Sequence, residues 1–224
     1  MKRVVIPELL DSDAGTSREV EGSLKDLRMI NRWFGGAQAM SDLLYQVAVQ
    51  RRLESLSWLD VAGASGDIAG LAQRSLGRKG VKLEPILLDR AATHLNGHMP
   101  SICSDALALP FRSDSVDVVG CSLFVHHLEP PDIVRFATEA LRVARHAVVI
   151  NDLIRHRLHL ALVSAGWPLY RSPLTRHDGP ASVRRAYTVA EMKDILRPVN
   201  AAIDIRHFYL FRMGVILWKY PNTA

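Results

Sequence analysis

Long uninterrupted apolar runs are absent from this sequence of 224 residues. The most lipophilic stretch, residues 158–170, is broken by Ser164, Gly166 and Pro168, whereas a membrane-spanning helix needs roughly 18 or more apolar residues. The basic first residues are followed at once by Pro7, where a secretory signal would continue with an apolar core. We therefore expect neither stable membrane insertion nor a signal peptide.

Cysteine is scarce as well, with only Cys103 and Cys121, both inside apolar stretches. This usage excludes a disulfide scaffold and favours reduced thiols, so we expect a cytoplasmic protein. Lys and Arg number 28 against 23 Asp and Glu, which leaves a formal charge of +5 with no lysine cluster. Such a mild excess gives weak support for a nucleic-acid partner.

The chain is long enough for one domain with a sizeable core. Short apolar runs at 58–61, 85–88, 116–125 and 147–150 alternate with helical patterns, which favours parallel strands covered on both faces. The sequence therefore predicts an α/β, doubly wound, mostly parallel seven-stranded sheet.

Two further features complete the predicted layout. Runs at 202–210 and 212–219 are separated by too little chain for a parallel crossover, so we expect an antiparallel hairpin that closes the parallel sheet and gives it an antiparallel C-terminal strand. Residues 1–50 are predicted to be a helical cap or lid on a domain spanning 51–224. Residues 151–188 are predicted to be largely irregular, followed by a short helix over 189–196.

A turn of small residues follows the first apolar run. Asp60 lies in this run, and residues 62–66 read Ala-Gly-Ala-Ser-Gly before a helical pattern begins at Asp67. Small side chains let a ligand approach the backbone, and a helix start offers free N–H donors. Alone the turn is a weak signal, because a strand-to-helix connection without a ligand has the same form.

Polar residues end three further strands, and strand ends of an open α/β sheet are where ligands bind. Asp89, 23 residues after Gly66, suits a carboxylate that accepts from two ribose hydroxyls; a helix N-cap is the alternative. Asp105 could accept from an adenine amine. The fourth strand end reads Ser-Leu-Phe-Val-His-His over residues 122–127.

These motifs in this order resemble the class I S-adenosylmethionine-dependent methyltransferases, within the methyltransferase type 11 and quinone-methyltransferase-like group. The resemblance covers residues 57–152 and the layout of the last two strands. It implies a methyltransferase with a Rossmann-like fold and S-adenosylmethionine as cofactor. It also implies that the turn holds the methionine end, that Asp89 binds the ribose and that Asp105 binds the adenine. The implied cofactor residues are Asp60, Ala62, Gly63, Ala64, Gly66, Asp89, Arg90, Asp105, Ala106, Ser122 and Leu123.

The turn departs from the Gly-x-Gly-x-Gly form usual in that family. Ala62 and Ala64 replace the first two glycines, and only Gly66 stays in place. Since alanine prefers φ below zero, we expect a more conventional turn that holds a ligand more loosely. A nicotinamide dinucleotide is the alternative cofactor, but the alanines would crowd its pyrophosphate and Asp67 would repel it.

Three residues are candidates for a general base, namely His126, His127 and Asp152. The His-His-Leu ending recurs in relatives with different acceptors, which favours a structural role for the histidines. Asp152 is alternatively a helix N-cap. We expect no metal, because no cluster has ligand spacing and adjacent histidines project in different directions.

Residues 145–185 carry seven arginines, no lysine and two acids, and 7 − 2 = +5 equals the formal excess of the whole chain. In relatives the insertion after the fifth strand forms much of the acceptor pocket; a solvated basic face is the alternative. Residues 28–36 mix polar and aromatic side chains and are predicted to cover the cleft. The predicted substrate contacts are Asn31, Arg32, Trp33, Arg155, Trp167, Tyr170, Arg184 and Arg185.

The predicted function is methylation of a small-molecule acceptor on oxygen or carbon, with an aromatic, polyketide-like or quinone-like skeleton. An RNA methyltransferase and a catalytically inactive binding protein are the alternatives. The missing lysine clusters speak against RNA, and the acids at positions 89 and 105 speak against an inactive scaffold. We expect a monomer or homodimer without a nucleic-acid partner.

Overall fold

The computed structural model describes residues 1–12, 14–95, 98–208 and 210–220. Within these ranges it has seven α-helices, seven strands and several short 3₁₀ turns. The helices are α1 (Ser17–Trp33), α2 (Gly36–Arg51), α3 (Asp67–Arg78), α4 (Pro130–Val143), α5 (Arg157–Ala165), α6 (Pro173–Arg185) and α7 (Val189–Leu196). The strands are β1 (Ser55–Val61), β2 (Lys82–Asp89), β3 (Ser101–Cys103), β4 (Val116–Ser122), β5 (Ala144–Leu153), β6 (Ala202–Phe208) and β7 (Arg212–Trp218). Tyr209, part of the predicted run 202–210, lies outside the described residues.

Helix starts follow from local chemistry. Thr188 precedes α7, and its hydroxyl accepts from the Glu191 backbone at 3.3 Å while the Glu191 carboxylate accepts from the Thr188 backbone at 2.8 Å. This reciprocal capping box satisfies two backbone donors that a helix start leaves free. The predicted helix over 189–196 is thereby confirmed at both ends.

All seven strands form one sheet in the order β3-β2-β1-β4-β5-β7-β6. β1 to β5 pair in parallel, and β7 is antiparallel to both of its neighbours. The doubly wound sheet with an antiparallel C-terminal strand is confirmed. The predicted hairpin at the edge is confirmed as well: β6 and β7 pair antiparallel, with β7 next to β5 and β6 outermost.

Helices cover both faces of the sheet. On one face α2 packs on β5 and β7 and α3 packs on β2, with Met40, Leu43 and Leu44 fully buried. On the other face α4 packs on β4 and β5 and α7 on β6, and they bury Phe136 and Met192. α2 therefore forms part of the main core. Of the predicted cap over residues 1–50, only α1 and the residues before it remain as a candidate lid.

The segment 151–188 differs from the prediction, because it is mostly helical. Ser172 caps α6 by accepting from the Leu174 backbone at 3.2 Å, and Pro173 occupies the first helical position, where no N–H is missed. Pro180 lies inside the same helix, preceded by Gly179. The sequence did not predict this helix because glycine and proline are typical helix breakers.

Residues 1–12 run along α6. The Val4 backbone donates to the Arg184 carbonyl at 3.1 Å, and the backbones of Leu9 and Leu10 donate to the buried Asp178 carboxylate at 2.8 and 3.0 Å. We call residues 1–12 the N-terminal segment. Among the described helices, none is both long and apolar enough to cross a membrane.

Candidate active site

A cavity of about 960 Å³ lies at the carboxyl ends of the parallel strands. It is centred where β1 lies between β2 and β4, which is the point at which the strand order reverses. Nine of the eleven predicted cofactor residues line the cavity; the other two, Ala64 and Gly66, belong to the turn but are not part of the lining. The N-terminal segment, α1, α5 and α6 form the opposite wall.

The turn after β1 keeps a left-handed backbone at both alanines. Ala62 has φ +57° and Ala64 has φ +44°, so the expectation of negative φ values is wrong. An L-residue in this region costs roughly 1–2 kcal/mol, so neighbouring groups must hold the turn. The Ala64 backbone donates to Asp89 at 3.0 Å, and the Gly63 backbone donates to the Leu88 carbonyl at 3.2 Å.

Asp60 is a buried carboxylate without a partner. It is 2% exposed, and no described residue donates a hydrogen bond to it or forms an ion pair with it. Burial raises its pKa well above the usual value, and the negative charge of Asp89 raises it further. A Cβ on Gly63 would stand 3.1 Å from this carboxylate, so only glycine leaves its inner side free. None of the described residues gives Asp60 a positively charged partner, so a cationic ligand would balance its charge.

Asp89 ends β2 and joins two loops. One carboxylate oxygen accepts from the Ala64 backbone at 3.0 Å and the other from the Ala91 backbone at 2.9 Å. The following 3₁₀ turn (Ala92–His94) has Ala91 at its N-cap position, so the N-cap alternative for Asp89 is wrong. Each oxygen keeps a second acceptor direction for a ligand.

The remaining strand ends bring polar groups to the same cavity. Asp105 is exposed, and its carboxylate accepts from the Leu107 backbone at 2.8 Å. Ser122 accepts at 3.2 Å from the buried Asn151 side chain, and the Leu123 backbone has φ +55°. The cavity wall beside β4 is thus fixed by its neighbour β5.

His126 lies in a buried chain of ionisable groups. Its Nδ1 is 2.6 Å from the Asp152 carboxylate, and its Nε2 faces Glu8 Oε1 at 3.5 Å. Although burial lowers the pKa of His126, the two carboxylates outweigh that effect and raise it to about 9. Asp152 also accepts from the backbones of His126 and Leu153, and α5 is capped by His156. The N-cap alternative for Asp152 is therefore wrong.

His127 joins the same group from the other side. Its Nδ1 is 3.0 Å from Asp11 and its Nε2 is 3.8 Å from Glu8 Oε1. The expectation that adjacent histidines project apart is wrong, because both rings turn toward Glu8 with their centroids 4.2 Å apart. Glu8 and Asp11 were missed by sequence reasoning, since nothing in a short N-terminal stretch indicates that it runs along α6 and lines the cavity.

The predicted substrate residues divide into two groups. Asn31, Tyr170 and Arg185 line the cavity. The other five do not. Trp33 and Trp167 are 70% and 56% exposed, and the Arg155 guanidinium bonds to backbone carbonyls and Glu191. Outside the lining are Arg32, Trp33, Arg155, Trp167 and Arg184.

We call the part of the cavity opposite the strand ends, lined by α1, α5 and α6, its acceptor half. Two residues that the sequence did not single out lie in this half of the cavity. Arg212 is 2% exposed; its Nη2 donates to Asn31 at 3.5 Å, and its Nη1 has no partner among the described residues. Burial lowers the pKa of Arg212 to about 10, which leaves it a cation at neutral pH. His159 stacks on Phe211, and its Nδ1 donates to the Ile154 carbonyl at 3.0 Å.

Comparison with known proteins decides what this fold and cavity belong to. Residues 59–150, from β1 to β5, match the family model described as a methyltransferase domain. The protein is a methyltransferase, with the fold of S-adenosylmethionine-dependent methyltransferases. Its cofactor is therefore S-adenosylmethionine, whose positive charges fit the unpartnered Asp60 carboxylate.

Solved structures of methyltransferases share the fold. The plantazolicin methyltransferase BpumL in complex with SAH has 13% identity and a TM-score of 0.69, with 96% of this chain and 95% of that chain covered. A SAM-dependent methyltransferase from Aquifex aeolicus has 16% identity and a TM-score of 0.54, with 77% and 88% covered. At these identities the likeness establishes the fold alone. No curated protein matches the sequence.

Proposed function

We propose that this methyltransferase binds its cofactor along β1, β2 and β3 and methylates a small acceptor on oxygen or carbon. Asp60 takes the positively charged methionine end, because it is the buried acid without a partner. Asp89 accepts from the ribose hydroxyls, Asp105 and the Ala106 backbone contact the adenine, and Arg90 flanks them. Ser122 and Leu123 lie beside the sulfonium.

Asp89→Ala is expected to weaken cofactor binding about tenfold to a hundredfold, because a hydrogen bond to a charged acceptor contributes roughly 1.5–3 kcal/mol. It should also lower stability by about 1 kcal/mol or more, since Ala64 and Ala91 lose their acceptor. Calorimetric titration and thermal unfolding of the same protein measure both effects. Asp194→Ala, at an exposed acid on α7, is the control. Unchanged cofactor affinity would contradict the placement of the ribose.

Arg212 is the observation that carries the acceptor proposal. It is a buried cation at the cavity wall that forms an ion pair with none of the described carboxylates, Asp152 acting on it only from a distance, and buried charges are stable only when paired. The surrounding wall is largely apolar, with Leu162, Leu169 and Phe211. An acceptor with an apolar or aromatic body and an anionic or ionisable oxygen fits this half of the cavity.

The cofactor supplies a methyl group on a sulfonium, and the protein must align the acceptor and take up any proton it loses. His126 is unsuited to be the base, because its ring is protonated at neutral pH and engaged with two carboxylates. His159 is better suited. Burial lowers its pKa, and its Nδ1 proton goes to the Ile154 carbonyl, which leaves Nε2 as the basic atom. We assign the base role to His159.

The covered cavity supports a small acceptor over RNA. Its volume of about 960 Å³ lies at the upper end of the roughly 300–1,000 Å³ of small-molecule pockets. The N-terminal segment and α6, joined by the bond from Leu9 to Asp178, line one side of it. A modified peptide is the second candidate, because BpumL has been solved with a triazolic desmethylPZN analog, and the fold likeness there covers 95% of this chain.

A labelling screen tests the function directly. The protein is incubated with cofactor carrying an isotope-labelled methyl group and with fractions of metabolites, peptides and RNA. We expect label in a small molecule with an acidic oxygen and far less label with Asp89→Ala. Label in RNA alone would contradict the acceptor proposal. Cofactor binding without label in any fraction would favour the inactive binding protein.

The N-terminal segment is proposed to act as part of the lid. Asp178→Ala removes the acceptor of the Leu9 and Leu10 backbones, so the segment should open about tenfold to a hundredfold more often, given roughly 1.5–3 kcal/mol per charged hydrogen bond. Hydrogen exchange at residues 8–12 measures this opening. Cofactor affinity should stay within about twofold. Equal protection in Asp178→Ala and Asp194→Ala would show that this anchor does not hold the segment.

A further inference from the structure

Three side chains from two distant parts of the sequence converge at one point of the cavity wall. Glu8 comes from the N-terminal segment, and His126 and His127 follow β4. One ligand atom from each of the three lies within 4.8 Å of the others. Glu8 Oε1 and His126 Nε2 are buried and lack a hydrogen-bond partner among the described residues. A buried ring nitrogen and a buried carboxylate oxygen that face each other beyond hydrogen-bond distance indicate a place for a missing ligand.

The spacing suits a metal better than hydrogen bonds. Glu8 Oε1 is 3.5 Å from His126 Nε2 and 3.8 Å from His127 Nε2. Hydrogen bonds between such atoms are shorter, at roughly 2.7–3.2 Å. Tetrahedral zinc with bonds of roughly 2.0–2.2 Å sets its ligand atoms roughly 3.4 Å apart. The two distances from Glu8 are therefore close to those around one small divalent ion, and the third, between the histidine ligand atoms, is within 4.8 Å.

The outer contacts of the histidines also fit a metal centre. His126 Nδ1 is 2.6 Å from Asp152, and His127 Nδ1 is 3.0 Å from Asp11. In metal sites the far ring nitrogen typically donates to a carboxylate, which fixes the ring and its tautomer. Once a metal displaces the proton of the His126 ring, both Nε2 atoms can serve as ligands beside Glu8.

The charges nearby are compatible with a divalent ion. Glu8, Asp11 and Asp152 bring three negative charges, and Arg185, Arg212 and the protonated His126 ring bring three positive charges. The metal-free group is therefore neutral (3 − 3 = 0), and a divalent ion that displaces the His126 proton makes it +1. An anionic acceptor oxygen would then complete the balance.

We propose that Glu8, His126 and His127 form a binding site for a divalent transition metal, zinc being the best fit, with its fourth position open to the cavity. Two histidines and one carboxylate with an open position are the ligand set of several catalytic zinc sites. All three residues line the cavity. The role of the ion rests on the proposed function: at this position it could polarise an oxygen of the acceptor.

Metal binding is tested on the untagged full-length chain after removal of metals with a chelator. Calorimetry with ZnCl₂ and visible absorption with CoCl₂ are the two probes, because tetrahedral Co²⁺ gives strong visible bands. We expect one equivalent of metal. Glu8→Gln and His127→Gln should each weaken binding at least about tenfold, since losing a ligand or its support typically costs ten- to a hundredfold. These variants leave the His126–Asp152 pair in place.

His207→Gln is the matched control, because His207 is an exposed histidine on β6. Binding of one metal that is lost in both ligand variants and kept in the control supports the site. Absence of metal binding, or equal binding in all variants, overturns it. Cofactor affinity of the metal-free protein is measured in parallel, so that failure of the metal site and failure of the proposed function remain distinguishable.

Discussion

Asp60→Asn is expected to make the metal-free, cofactor-free protein harder to unfold and to cost it about a hundredfold to a thousandfold in cofactor affinity. Asparagine keeps the shape of the side chain and removes the charge. In the free protein that charge is buried without a partner beside Asp89, so its removal should raise stability by about 1–3 kcal/mol. In the complex the same change leaves a buried positive charge unpaired, at a cost of roughly 3–5 kcal/mol.

The pH dependence gives the sign of the stability effect. Because the folded-state pKa of Asp60 lies above its ordinary value of 3.8, the unfolded state ionises first as pH rises. The natural protein should therefore lose stability as pH rises from about 4 through the folded-state pKa, and the variant should lack this loss. Thermal unfolding across that range, with and without cofactor, measures it. Lower stability of Asp60→Asn at neutral pH would show that Asp60 has a stabilising partner.

The regular part of the fold could be predicted because it follows local rules. The run Trp58–Val61 has the length and composition of a buried strand. The strand that contains it, β1, pairs with β2 on one side and β4 on the other, and both of its faces are covered. Thr188 and Glu191 at helical spacing fix the start of α7. Both patterns depend on residues close in sequence, so the strand and the helix start could be predicted without knowledge of tertiary contacts.

The turn at residues 62–66 shows the limit of local rules. The preference of alanine for negative φ was outweighed by tertiary contacts, above all by the bond from the Ala64 backbone to Asp89, 25 residues away. A local preference worth roughly 1–2 kcal/mol is within reach of one or two hydrogen bonds to a charged acceptor. No pattern within the turn itself contains this information.

The acceptor half of the cavity was harder to predict for a related reason. Glu8, His159 and Arg212 come from the N-terminal segment, α5 and the start of β7, and only the folded chain brings them together. The arginines counted in residues 145–185 are largely engaged elsewhere: Arg155, for example, bonds to the Ala186 carbonyl and Glu191. Net charge over a segment does not tell which guanidinium lacks a partner.

Arg212→Met is expected to lower kcat/KM for the acceptor by about thirtyfold to a thousandfold while leaving cofactor affinity within about twofold. Methionine fills much of the same space with an apolar chain, so the buried cation is removed without a large cavity. An anionic acceptor then loses its partner, and removing one member of a buried charge pair typically costs roughly 2–5 kcal/mol.

Stability separates this interpretation from a structural one. Since Arg212 has an unpartnered Nη1 and only a 3.5 Å hydrogen bond to Asn31, the variant should unfold at the same temperature as the natural protein or higher. Arg206→Met, at an exposed arginine on the neighbouring strand β6, is the matched control and should change neither quantity. The acceptor found in the labelling screen provides the steady-state assay. An Arg212→Met protein with normal turnover, or one that unfolds several degrees earlier, would place Arg212 in the framework of the fold and remove the argument for an anionic acceptor.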